Sequence, residues 1–166
     1  MKGDVKVIEF LNEALTNELT ATNQYWLHYR MLDHWGITHL AKYERKESIE
    51  EMQHADMLAE RILFLDGLPN FQRIGSLRIG DSVPEILAAD LALEGEAIPL
   101  LRDAIEHCEK VRDYVTRDLF RSILDNEEEH VDFIEKQQEL IEKMGLQNYI
   151  QLQTHRADES HAVVLR

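Results

Sequence analysis

A glutamate followed 33 residues later by a Glu-x-x-His step occurs twice in this chain. Glu18 precedes Glu51 and His54, and Glu94 precedes Glu127 and His130. One shift of 76 residues carries every member of the first set onto the second. Residues three apart on a helix differ by about 60° in direction, so each Glu-x-x-His puts a carboxylate and an imidazole on one face. Four carboxylates and two imidazoles at these spacings can bind two metal ions between four helices. Such oxygen and nitrogen donors suit iron or manganese, whereas thiolates would favour zinc or an iron–sulfur cluster. Four buried carboxylates without cations would be very costly, so metals belong to the electrostatics of this pattern. The bland alternative is a charge-rich bundle whose glutamates and histidines face water, and the common register argues against it.

Glu18 and His54 are assigned to one metal, and Glu94 and His130 to the other. Glu51 and Glu127 bridge them, an assignment taken from diiron bundles rather than from spacing. A ligand histidine donates its second N–H to another group, and Glu50 and Asn126, four residues before the histidines, are candidate partners or simply solvated. Tyr25, seven residues after Glu18, is either an electron donor beside the metals or a core tyrosine. Met52 points about 130° away from the mean direction of Glu51 and His54, which makes it outward-facing interface packing or an outward ligand.

Four long helices and a short fifth must position these groups. Val7, Ile8, Leu11, Leu15 and Leu19 predict a first helix over Val5–His34, stopped at Gly36. The second is expected over His39–Leu65, closed by Gly67 and Pro69. Residues 66–81 carry three glycines and one proline without helical periodicity. They form a crossover that can span roughly 50 Å, against roughly 40 Å for a 27-residue helix. A capping box, Ser82 with Glu85, starts the third helix, which runs to Val111. Within it, Pro99 cannot donate to the carbonyl of Gly95, so a kink or widened turn is expected beside Glu94. The fourth helix runs from near Asp113 to Met144, and a fifth covers Leu146–Gln153. The fold class is all-α: a four-helix bundle with a long crossover and a short C-terminal helix. It occupies residues 1–153, with a loose tail over 154–166.

With 166 residues, 44% apolar and only 7 Gly and 3 Pro, the chain fits one helix-rich domain with a sizeable core. A net charge of −14 argues against nucleic acid or an anionic membrane as partner and favours cations. Cys108 is alone, so an intrachain disulfide and a Cys-x-x-Cys site are excluded. The start Met1-Lys2-Gly3-Asp4 leads into an amphipathic pattern without a leader-like or membrane-spanning apolar run, which predicts a cytoplasmic protein.

Nearly the whole chain resembles the bacterioferritins, the haem-containing branch of the ferritin-like iron-storage proteins. The motifs that carry the resemblance are Met1-Lys2-Gly3-Asp4, Asn17-Glu18-Leu19, Asn23-Gln24-Tyr25, Glu51-Met52-x-His54-Ala55-Asp56, Glu60-Arg61-Ile62-Leu63-Phe64-Leu65, Gly67-Leu68-Pro69-Asn70, Asp113-Tyr114-Val115 and Met144-Gly145-Leu146-Gln147-Asn148-Tyr149. The resemblance implies a shell of twenty-four identical subunits. It implies a ferroxidase centre that oxidises iron(II) with oxygen or peroxide, ferric mineral inside the shell, and a small ferredoxin-type reductant for iron release. It further implies a b-type haem on a twofold axis, held by Met52 of each subunit, with Leu19, Asn23, Trp26 and Ile49 around it. Iron channels would lie at Asn148 and Gln151, at Glu109, Arg117 and Asp118, and at Asp66 and Asp132. The resemblance breaks at Lys46 and Glu50, where some members carry a histidine and an aspartate as an inner-surface iron site.

Two other classes compete with an iron-storing ferroxidase. A diiron oxidase or peroxidase without a storage role would need a substrate-binding insertion or a cysteine-rich iron domain, and the short chain with one cysteine offers neither. A haem-binding structural shell subunit would not need the complete ligand set.

Overall fold

The computed structural model describes residues 1–154, which form five helices: α1 Val5–His34, α2 Thr38–Phe64, α3 Val83–Val111, α4 Tyr114–Met144 and α5 Leu146–Leu152. The expected tail lies almost wholly outside the described residues. Helices α1 and α2 pack as one hairpin and α3 and α4 as a second, with α1 laid against α3. No helix among the described residues is long and apolar enough to cross a membrane.

The inward face of each helix changes chemistry along its length. At one end, Val7, Leu11 and Leu15 pack with Leu58, Ile62, Leu101, Phe120 and Ile123 in an apolar cluster. At the other end, Leu32, Leu40, Val83, Ile86, Leu87, Ile134 and Tyr149 form a second. Between them, the same helical registers carry Glu18, Gln24, His28, Glu44, Glu47, Glu51, His54, Asp90, Glu94, Glu127 and His130, all buried. The two apolar clusters therefore clamp a polar middle, and their burial is the main force closing the bundle around it.

Helix ends follow local rules. Asp4 caps α1 by accepting from Val7 N at 2.9 Å, and Asp113 caps α4 by accepting from Thr116 N at 3.0 Å. Ser82 caps α3 as the sequence predicts, but Glu85 reaches back to Asp81 N (2.7 Å), one residue beyond the expected partner. At the end of α2 the left-handed position falls on Asp66 (φ 63°), not on Gly67. Gly67 is required for packing: a Cβ there would lie 2.9 Å from Cγ2 of both Ile62 and Ile8.

Of the kink or widened turn expected in α3, no widened turn appears: the segment is α-helical without interruption from Val83 through Pro99 to Val111. Gly95 and Pro99 both lie on the exposed face. The carbonyl deprived of its donor can therefore be met by water, and the helix need not open.

The crossover returns along α1, and side chains of α1 accept its backbone N–H groups in sequence. Asn70 N donates to Asn12 Oδ1 (2.8 Å), Gly75 N to Thr20 Oγ1 (2.9 Å), Arg78 N to Gln24 Oε1 (3.0 Å) and Gly80 N to His28 Nε2 (3.1 Å). A segment without helix or sheet thus has backbone donors satisfied by a polar stripe on its neighbour. Replacing Gly67 by alanine should cost about 1–3 kcal/mol through overpacking against Ile8 and Ile62. A lowered thermal midpoint with unchanged far-ultraviolet dichroism is expected; an unshifted midpoint would contradict the packing role.

Candidate metal centre

Each of the four long helices delivers its share of the duplicated motif to one place. Glu18, Glu51, His54 and Glu127 bring one ligand atom each within 4.8 Å of one another, as do Glu51, Glu94, Glu127 and His130. Glu51 and Glu127 belong to both groups. His54 Nδ1 lies 3.4 Å from Glu18 Oε2, 3.9 Å from Glu51 Oε1 and 3.6 Å from Glu127 Oε1. His130 Nδ1 lies 3.3 Å from Glu51 Oε1, 3.4 Å from Glu94 Oε1 and 3.7 Å from Glu127 Oε2. All six residues are at most 3% exposed.

The inward atoms lack partners. Glu18 Oε2, Glu51 Oε1, His54 Nδ1, Glu94 Oε2 and Glu127 Oε1 are buried without a hydrogen bond. Buried polar atoms are ordinarily paired, and five orphans on the residues of these two overlapping groups fit groups prepared for cations. Four carboxylates also balance the charge of two divalent ions. The donor set and the orphaned atoms fit a two-cation site.

The electrostatics of the metal-free core point the same way. Burial, then the charges of Glu127 and Glu18, push the Glu51 carboxyl well above its usual range. Burial, then Glu18 and Glu94, do the same to Glu127. Burial also works to raise Glu94, but hydrogen bonds from Glu127, His130 and Tyr25 outweigh it and hold this carboxyl low. Burial disfavours the His130 imidazolium, yet hydrogen bonds and charges from Glu47 and Glu94 raise its pKa to about 10. Without metal, these shifts favour the protonated forms of Glu51, Glu127 and His130.

The outer partners are exchanged between helices. His54 Nε2 meets the Asn126 amide of α4 at 2.9 Å. His130 Nε2 contacts Glu47 of α2 closely, with Glu50 Oε2 at 3.6 Å. An inward Nδ1 leaves Nε2 pointing across the bundle, where the facing helix, not the preceding turn, supplies the partner. The atom that faces Nε2 is Asn126 Nδ2, a donor to an unprotonated Nε2. With a cation on Nδ1 the proton moves to Nε2, and a half-turn of the Asn126 amide would bring its carbonyl oxygen round to accept it. Tyr25, fully buried, donates from its hydroxyl to Glu94 Oε1 at 2.6 Å.

The sequence reading missed four buried polar residues in this region: Glu44, Glu47, His28 and Asp90. The available signal was the stripe Glu44, Glu47, Glu51, His54 at three- and four-residue spacing on α2, where a core face should be apolar. Met52 lies outside the core as expected, 43% exposed, with Trp26 and Ile49 also exposed, whereas Leu19 is buried in the core. Among the residues expected at channels, Arg117 joins Glu109 (2.7 Å) and Asp118 (2.9 Å) in one surface ion cluster. Asp66 pairs with the N-terminal amino group at 3.3 Å, and Asn148 and Gln151 are exposed on α5.

A four-helix bundle with a crossover between its hairpins, enclosing paired Glu-x-x-His steps, defines a class. Residues 8–144 match the ferritin-like domain accordingly. Within that class, the chain is 53% identical to a bacterioferritin of Brucella melitensis, over 96% of this chain and 99% of the relative. It is 51% identical to one from Rhodobacter capsulatus, over 90% of this chain and 92% of that one, and 53% identical to one from Streptomyces coelicolor, over 90% of each. The chain belongs to the bacterioferritin family.

Metal-free protein should lose stability as pH rises from 5 to 8. Glu51, Glu127 and His130 all have folded-state pKa values above their unfolded ones. Each contributes fully below its unfolded value and loses that contribution as pH climbs toward the folded value. Glu94, held low, is ionised throughout this window and adds no slope. Thermal midpoints with and without cobalt(II) provide the check. A decline with pH that cobalt(II) lessens is expected; a metal-free midpoint that rises with pH would contradict it.

Proposed function

We propose that this chain stores iron as a subunit of a hollow homo-oligomeric shell, twenty-four copies by likeness to its family, and acts as a ferroxidase. The observation that carries the reading is the convergence of orphaned, buried ligand atoms from all four helices on two overlapping four-residue groups. Iron(II) is the substrate, oxygen or peroxide the oxidant, and ferric mineral inside the shell the product.

Glu18 with His54, and Glu94 with His130, each hold one iron(II) ion; Glu51 and Glu127 bridge the pair. Two ions held about 3.5–4 Å apart can each give one electron to a shared oxidant. Glu51, Glu127 and His130 release their protons as iron enters, since ligands bind deprotonated. Asn126 and Glu47 hold the two imidazoles with Nδ1 inward. Tyr25, one hydrogen bond from Glu94, is the candidate one-electron donor. Acidic surface groups such as Asp66, Asp132, Glu109 and Asp118 concentrate cations at the entry paths, with Asn148 and Gln151 on α5 at the fourfold axis. The same reading assigns the protein to the cytoplasm and iron release to a small ferredoxin-type reductant.

Met52, Trp26 and Ile49 offer an apolar, sulfur-bearing surface suited to a b-type haem shared between two copies. Bound there, the haem would supply one-electron transfer, and Met52 would hold it through its thioether sulfur.

Mixing assembled protein with iron(II) in air and following ferric absorbance tests the ferroxidase. Partners one shell out typically cost 10–100-fold when removed, so Glu127→Ala or His130→Ala should slow oxidation by more than about 100-fold with the fold intact. A rate equal to the unaltered protein would overturn the reading. Met52→Leu should abolish the haem absorbance while shells still assemble, and an undiminished haem spectrum would refute ligation by Met52.

A further inference from the structure

Beside the metal core, a buried polar ladder joins the two hairpins. Asp90 of α3 is fully buried, and its Oδ1 accepts from Gln24 Nε2 at 2.9 Å and lies 2.9 Å from His28 Nδ1. His28 Nε2 accepts from Gly80 N, so neutral His28 keeps its proton on Nδ1 and donates it to Asp90. Gly80 comes this close because it has no side chain; a Cβ would run into the backbone of Glu85 and Ile86. One turn along the same helix pair, Tyr25 donates to Glu94. Gln24–Asp90, His28–Asp90 and Tyr25–Glu94 thus link α1 of one hairpin to α3 of the other.

Glu44 of α2, 1% exposed, completes the cluster, with one ligand atom each from His28, Glu44 and Asp90 within 4.8 Å of one another. These are residue types of a cation site, but the geometry argues against a cation. Both imidazole nitrogens are committed, since Nε2 faces an N–H and Nδ1 must carry the proton. The orphaned atoms left are Glu44 Oε2 and Asp90 Oδ2, one on each carboxyl group. A single proton between these groups would satisfy both.

We propose that Glu44 carries a proton that it donates to Asp90, and that the resulting acid–carboxylate pair is a positioning device, docking α3 on α1 and α2 so that Glu94 reaches the metal core. Asp90 then holds one buried negative charge fixed by three donors, from Glu44, His28 and Gln24. Burial, the charge of Asp90 and the hydrogen bond to it all push the Glu44 carboxyl well above its usual range, the direction this arrangement requires. The positioning half rests on the two-cation reading; the proton on Glu44 does not.

Infrared spectroscopy of the assembled, cobalt(II)-saturated protein tests the proton. Cobalt(II) deprotonates the core ligands, so a remaining carbonyl stretch of a protonated carboxyl should belong to Glu44 and vanish in Glu44→Gln. Absence of the band in the unaltered protein, or its survival in Glu44→Gln, would overturn the assignment. Cobalt(II) titration, read by visible absorption, tests positioning. Glu44→Gln keeps a donor toward Asp90 and should bind the same two equivalents within twofold. Glu44→Leu has no donor and should bind about tenfold more weakly, the cost typical of losing a supporting partner. Should Glu44→Leu not assemble, Gln24→Leu cuts the same ladder from α1 and should show the same loss. Equal affinities in the unaltered protein and the leucine variant would overturn positioning, and a third equivalent lost in Glu44→Gln would show a cation where the proton is proposed. If the unaltered protein binds no cobalt(II), the two-cation reading falls, and the infrared difference between it and Glu44→Gln still decides the proton.

Discussion

The interaction on which the rest of this structure depends is repulsion among carboxylates kept out of water. Glu18, Glu51, Glu94 and Glu127 meet in the middle of the bundle, each at most 2% exposed. Water cannot screen them there, and each ionised group would be costly alone. The bundle answers with protons when metal is absent and is arranged to answer with two divalent cations when metal is present. The same groups that make the metal-free core costly are of the types that could hold cations.

Such a centre needs support from its surroundings. The apolar clusters around Leu11 and Phe120 at one end, and around Leu32 and Ile86 at the other, supply burial that the polar middle does not. The crossover adds a second constraint. Its N–H groups are bound in turn by Asn12, Thr20, Gln24 and His28, so the segment joining the hairpins is tied to the helix that carries Glu18. Gln24 and His28 then continue to Asp90, one turn before Glu94. The chain connection and the candidate metal centre are thereby coupled through α1.

Much of this was legible in the sequence because two independent periodicities agree. Apolar spacing gave four long helices whose ends fall within a residue or so of those found, and the shift of 76 residues paired the ligands across hairpins. Glu44, Glu47, His28 and Asp90 were not legible. An isolated acid or histidine on a helix is ordinarily solvated, and only tertiary packing buries these four. The exchange of Asn126 and Glu47 between histidines on opposite helices escaped for a related reason, since spacing along one helix says nothing about the facing one. Asp66 took the left-handed position because Gly67 was committed to packing against Ile8 and Ile62. Pro99 left α3 intact because its unpaired carbonyl partner sits on an exposed face.

The central claim is that the buried carboxylates and imidazoles form one two-cation centre within each subunit. Anomalous X-ray scattering at the iron edge from crystals soaked in iron(II) tests it most directly. Two peaks per subunit are expected, about 3.5–4 Å apart, one beside Glu18 and His54 and the other beside Glu94 and His130, with Glu51 and Glu127 between them. A map with no iron among these six side chains, or with iron held only at the protein surface, would contradict the account.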